Sequence, residues 1–184
     1  MVEIMADAGN KDPTLKSKKR KRGLADEDYA ASTISLVDLP PDRGVEDWSN
    51  KMSELGILTA KDLAQEALKV QEGLKSRKFP ASTRLIAVAK PGDGPTSQST
   101  PVDGIYYQMA DLKNHKPLYQ KAYWSASQGI VGCEGVYIFY EDVKWRIGSF
   151  AHNGCVGFNV DEASDPTQLK KPWHVLKDLE VTLR

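Results

Sequence analysis

The 184 residues carry 25 Lys plus Arg against 25 Asp plus Glu, so no global field draws the molecule to nucleic acid or to an acidic membrane. With 40% apolar residues the chain can bury a real core, its length allows one domain or one domain plus extensions, and it contains no apolar run long enough to span a bilayer. Two cysteines, Cys133 and Cys155, are too few for a disulfide framework and suit a reducing compartment.

The opening MVEIMADAGN places charges inside its apolar stretch and has no signal-peptide core, which predicts an intracellular protein. Residues 1–30 mix charge, Gly and Ser with isolated apolar residues and show no period. Such a segment cannot offset the entropy of ordering, so a disordered tail is expected. Within it, six of the seven residues from Lys16 to Arg22 are basic. Lys18, Lys19, Arg20, Lys21 and Arg22 fit a nuclear import signal, because flexible basic side chains reach acidic pockets on an import receptor. The run reads equally well as solvated charge with no receptor, and the acidic stretch from Asp26 to Tyr29 weakens a nucleic-acid role.

Residues 31–90 form the next expected unit. Val45, Trp48, Met52 and Leu55 recur at helical spacing, and Gly56 then stops the helix in the left-handed position usual for a cap. A second helix starts at Thr59, whose hydroxyl is placed to cap it while Leu58 is placed to staple onto Leu63. Leu63, Ala67, Val70 and Leu74 continue an apolar stripe, which predicts an αα-hairpin. Trp48, Met52 and Leu63 are therefore candidates for a partner-docking helix face, against the commoner outcome that such stripes pack on the domain's own core. TRLIAVAK, Thr83 to Lys90, follows as a short strand, and PGDGPTSQSTP, residues 91–101, has linker composition.

From residue 102 to 184 the period changes from helical to alternating. GIYYQM, PLYQKAYW, VYIFY, WRIGS and GCVGFNV read as short strands, with WHVL returning after the loop DEASDPTQLKKP. Short turns between consecutive strands require antiparallel pairing, so the segment is expected to be a small antiparallel β-meander and the whole chain α+β. Of fifteen aromatic residues, twelve fall between Val102 and Leu176, which places the main core there. SASQGIVGCEG, Ser125 to Gly135, reads as a loop leading into the hairpin.

The order Gly104 and Tyr106, then Asn114, Pro117 and Tyr119, then VYIFY, WRIGS, DP and PWHV resembles a small aromatic-rich β-meander module. That module recurs, sometimes in tandem, in proteins of protists and marine invertebrates and has no assigned activity. The resemblance covers Asp103 to Leu176, less than half of the chain. It implies a β fold and a binding role, not a chemistry.

Val136, Ile138 and Tyr140 point to one side of the VYIFY strand and Tyr137 and Phe139 to the other. A sheet of this size cannot enclose both faces, so the second is either covered by the helical hairpin, the favoured outcome, or open to a ligand. Tyr106, Tyr137, Phe139, Trp145 and Arg146 would supply rings and a polar anchor for a carbohydrate or small ligand. Cys133, His152, Cys155 and His174 have the residue types of a zinc site, but the outer two stand too far from the His152–Cys155 pair, and small buried cysteines are expected instead. Catalytic motif, cofactor fingerprint and metal site are all absent from this reading. The expected function is non-enzymatic binding or assembly with a protein partner, intracellular and with a route to the nucleus. Carbohydrate recognition is the alternative, and a Cys/His enzyme comes third.

Overall fold

The computed structural model describes residues 29–77, 83–92, 102–150 and 154–176. The expected tail up to residue 28, the import-signal candidates Lys18 to Arg22, residues 93–101 of the expected linker, and His152 lie outside the described residues. Tyr29 and Ala30, assigned to the tail by their composition, instead begin strand β1 (Tyr29–Ser32). The order continues with β2 (Ser35–Leu39), α1 (Val45–Glu54), α2 (Ala60–Ser76), β3 (Leu85–Ala89), β4 (Gly104–Lys113) and β5 (Lys116–Ser125). It closes with β6 (Ile130–Glu141), β7 (Lys144–Gly148), β8 (Cys155–Asn159), a 3₁₀ turn at Pro166–Gln168, and β9 (Trp173–Leu176). The protein is thus α+β with an antiparallel meander, as its sequence predicts. The stretch expected as a loop from Ser125 to Gly135 is mostly strand, because β6 starts at Ile130 and pairs along β5.

Among the described residues, nine strands form one antiparallel sheet in the order β1-β9-β8-β7-β6-β5-β4-β3-β2. Its two outermost strands, β1 and β2, are consecutive in the chain and separated only by Thr33 and Ile34. Ser32 and Ser35 are three residue steps apart and so lie within about 11 Å even when fully extended, and the sheet must curl until its edges meet. The first half of this broken strand pairs with β9 and the second half with β3, and β3 pairs with β4, so the strands on either side of residues 91–101 belong to one sheet.

The curl explains which residues are buried. Inside it, Ile86 and Val88 of β3, Tyr106 of β4, Tyr119 of β5, Ile138 of β6, Trp145 and Ile147 of β7, and Trp173 of β9 form one cluster. Side chains from opposite walls touch, as in small barrels whose interiors are filled rather than hollow. Outside it, Leu85, Ala87 and Ala89 of β3, with Ile105 and Tyr107 of β4, pack against the helices. β3 is buried on both faces, and this is why LIAVA is apolar without alternation.

The two helices cover only part of the outer wall. Trp48 and Met52 of α1, with Ala60, Ala64, Ala67, Val70 and Leu74 of α2, form the stripe buried against it, and half-buried Leu63 packs on its margin. The proposed partner-docking role for Trp48, Met52 and Leu63 is corrected accordingly. Full burial of one such side chain stabilises by about 1.5–3 kcal/mol, and the domain's own wall captures that energy. The Trp48 indole N–H also donates to the Pro40 carbonyl at 3.1 Å. Gly56 ends α1 at φ 77°, in the left-handed region. Thr59 occupies the N-cap of α2, but its φ of −90° and ψ of 16° leave its hydroxyl without a capping bond, and Leu58 is exposed rather than stapled. α2 crosses the sheet at Gly73, where a Cβ would overlap Val131 and crowd Trp124.

One end of the curl is closed by residues 161–172. Arg84, just before β3, bonds Asp38 of β2 (Nε to Oδ1, 2.6 Å), the Tyr119 hydroxyl of β5 (3.0 Å), both carboxylate oxygens of Asp165, and Thr167 Oγ1 (3.1 Å). Lys116 donates to the carbonyls of Glu162 and Ala163, both at 2.9 Å, and the Trp145 indole N–H donates to Ala163 O at 3.0 Å. No described helix is long and apolar enough to cross a membrane.

Candidate functional site

Beyond the helices, the outer wall of β6 to β9 carries a ladder set by strand register. Phe139 of β6 stands opposite Arg146 of β7, Arg146 opposite Phe158 of β8, and Phe158 opposite His174 of β9. Directly opposed side chains on one face interact, so the four form a continuous row of aromatic and cationic groups. The Phe158 and His174 rings stack with centroids 4.9 Å apart, and the Lys144 ammonium lies 4.4 Å from the Phe158 centroid.

At the upper end of the row the rings gather around a cation. Phe150 stacks on Tyr137 at 4.1 Å and tilts 59° against Phe139 at 4.9 Å. Lys113, the last residue of β4, places its Nζ 4.5 Å from the centroids of both Phe139 and Phe150 and 2.9 Å from Glu141 Oε1. Arg146 is held by the preceding turn, donating from Nη2 to Asp142 Oδ2 at 2.8 Å and from Nε to the Glu141 carbonyl at 3.4 Å. That turn is tight because Asp142 and Val143 both take positive φ, 51° and 59°. Two such residues make the two-residue hairpin that matches strand twist.

Towards the helices, the face becomes a polar chain. Tyr107 donates its hydroxyl to Gln120 Oε1 at 2.7 Å, and Gln120 Nε2 donates to the Tyr137 hydroxyl at 3.2 Å and the Glu134 carbonyl at 3.1 Å. Burial pushes the Tyr107 hydroxyl pKa up, neighbouring Cys133 and Tyr137 push the same way, and Arg77 opposes them. This hydroxyl stays protonated, acting as a donor and not as a base.

The structure separates the five expected ligand residues. Tyr137, Phe139 and Arg146 lie together on the outer face. Tyr106 and Trp145 lie inside the curl, where Tyr106 donates to Val102 O at 2.7 Å and Trp145 to Ala163 O. They cannot share a ligand with the other three, because the sheet stands between. The helices cover the first part of β6 at Val131, while Phe139 is covered by Phe150 and Lys113 instead.

Among the described residues no three His, Cys, Asp or Glu side chains converge to hold a metal. Cys133 is exposed near the Tyr107 hydroxyl, at 3.9 Å, and half-buried Cys155 donates to Gly157 O at 3.1 Å. The expectation of two buried cysteines is corrected, since Cys133 falls on the outer wall beyond the helices. Phe158, Phe150, Lys113 and Lys144 were not singled out from the sequence, and His174 was weighed only as a zinc ligand, not as part of an aromatic row. Alternation in GCVGFNV and WHVL shows that Phe158 and His174 each share a face with their i±2 neighbours, but only register brings those faces together. No family model, curated protein or solved structure matches the chain.

Proposed function

We propose that the protein is a non-enzymatic binding protein whose recognition surface is the outer wall of β6 to β9. The observation that carries this reading is the ladder Phe139, Arg146, Phe158, His174, in which the two Phe rings are covered by Lys113 and Lys144, Arg146 and His174 are half-buried, and Phe150 stands exposed above. Aromatic residues and Arg are the side chains from which interface anchors are most often built, and here they are pre-organised by cross-strand pairing. A protein partner fits this row better than a sugar fits the five-residue set first expected, two of whose members face the interior. An intracellular location and import through Lys18 to Arg22 belong to the same proposal.

The test is capture of partners by full-length protein at physiological salt, followed by cross-linking to map the contact. Cross-links on β6 to β9 that vanish, with their partner, in the Arg146→Ala/Phe158→Ala variant support the reading. A partner that binds this variant as tightly as the wild type overturns it, as does a glycan that binds the same face with no protein captured there.

A further inference from the structure

Lys113, Phe139, Phe150 and Glu141 have the parts of an aromatic cation cage, and the cage is filled by the protein's own side chain. Two rings stand at equal distance, 4.5 Å, from the Lys113 ammonium, and a carboxylate oxygen stands at 2.9 Å. Tyr137, stacked behind Phe150 at 4.1 Å, holds that ring in place. Glu141 also lies 3.9 Å from Arg146 Nε, so its charge is shared between two cations. Phe139 is 2% exposed while Phe150 is 45% exposed, so the cage has a covered floor and an accessible wall. Its resident arrives on a flexible four-carbon stem from the end of β4, the kind of group that can swing out when a better cation arrives.

We propose that this cage is a recognition site for a methylated lysine side chain of a partner protein, with Lys113 as a built-in competitor that the incoming group displaces. The proposal rests on the reading of the outer wall as a recognition surface and names what its upper end takes. The chemistry selects the methylated form. A plain lysine from a partner offers nothing that Lys113 lacks, and Lys113, tethered nearby, acts at a high effective concentration. Methyl groups spread the charge and weaken hydration while keeping the attraction to ring faces, so a methylated ammonium gains where a bare one does not. Arg146 is already paired with Asp142 and Glu141, so of the neighbouring cations it is Lys144 that would favour an acidic residue flanking that lysine.

The experiment titrates full-length protein with tetramethylammonium chloride at constant ionic strength, read by the Phe139 and Phe150 ring resonances. Its neutral near-isostere tert-butanol serves as the charge control. Lys113→Ala should bind tetramethylammonium about tenfold more tightly than the wild type. Phe150→Ala in that background should return the affinity to the wild-type level or below, and tert-butanol should give no saturable shift. Lys113→Thr, which suits a strand end, replaces the Ala variant if that one does not fold. If neither variant binds more tightly than the wild type, or tert-butanol binds as well as the cation, the cage proposal fails. A peptide carrying trimethyllysine is compared with choline, and binding of choline without the peptide overturns the commitment to a protein side chain. Partner capture that depends on Phe158 but survives failure of the ammonium titration would sink the cage while leaving the wider face standing. Ammonium binding without any captured partner would do the reverse.

Discussion

Arg84 and Asp165 stand 81 residues apart in sequence and meet as a two-pronged ion pair, Nη1 to Oδ2 and Nη2 to Oδ1, the latter at 3.2 Å. Their side chains are 29% and 14% exposed, so the pair is partly withdrawn from water at the closed end of the curl. The same guanidinium also reaches Asp38 and Tyr119, so one residue joins β2, β5 and the 161–172 segment. Removing one partner of such a pair leaves the others with unmet charge. Arg84→Ala should therefore destabilise the fold by about 2–4 kcal/mol, measured by urea denaturation. Arg84→Lys should recover only part of this, because an ammonium cannot reproduce the planar fork. A loss below about 0.5 kcal/mol would show that the segment is held without the clamp.

The clamp predicts a pH dependence. Burial pushes the Asp165 carboxyl up, but Arg84 and the Thr167 hydroxyl and N–H together hold it below its ordinary value of 3.8. The unfolded chain then takes up the proton first as pH falls. The stability that Asp165 contributes is complete above the ordinary carboxylate value and is lost as pH drops through the lower folded-state value. The stability gap between wild type and Asp165→Asn should be widest near neutrality and narrow steadily below pH of about 4. Denaturation curves with the same gap at neutral and strongly acidic pH would contradict this.

Val143 is a branched residue at φ 59° in the β6–β7 turn, and it is 65% exposed. Its side chain gains little there, while its backbone conformation costs about 1–2 kcal/mol for an L-residue. Gly accepts that conformation but loses more entropy on folding, so Val143→Gly should give a net gain of about 0.5–1 kcal/mol, and Val143→Asn a similar one. Thermal melting should show a rise of a few degrees, about 2–4 °C per kcal/mol at this size. A lower melting temperature for both would mean that Val143 makes a contact that its exposure hides.

At Gly73 two effects oppose each other. Ala is the better helix former by about 1 kcal/mol, yet its Cβ would overlap Val131 Cγ2 and crowd the Trp124 ring where α2 crosses the sheet. Overpacking of a close crossing costs about 1–3 kcal/mol, so packing wins and Gly73→Ala should lower the denaturation midpoint. A raised midpoint would show that the helix can lift off the wall at little cost.

The helices were legible in the sequence because Trp48, Met52, Val70 and Leu74 repeat at helical spacing whatever they pack against. β4 to β9 were legible from alternation and turn residues, which are also local signals, except the first half of β6, where Gly129, Gly132 and Gly135 read as a loop. β1 and β2 were not, because YAAS has no apolar alternation and SLVDL leads into Pro40 and Pro41 like a loop. Their strand character comes from β9 and β3, partners far away in the chain. Alternation separated Tyr137 and Phe139 from Ile138, but which side faced inward depended on the direction of the curl. The ladder from Phe139 to His174 exists only through three successive registers, and no separation in sequence encodes those.

The most direct measurement compares two sides of the molecule as the captured partner binds. Phenylalanines carrying fluorine report on Phe150 and Phe158, and labelled methyls on exposed Leu58 and Leu68 report on the helical side. The recognition-surface reading predicts that the Phe150 and Phe158 resonances shift in saturable fashion while the Leu58 and Leu68 methyls stay in place. Shifts confined to Leu58 and Leu68, with both rings unchanged at saturation, would contradict it.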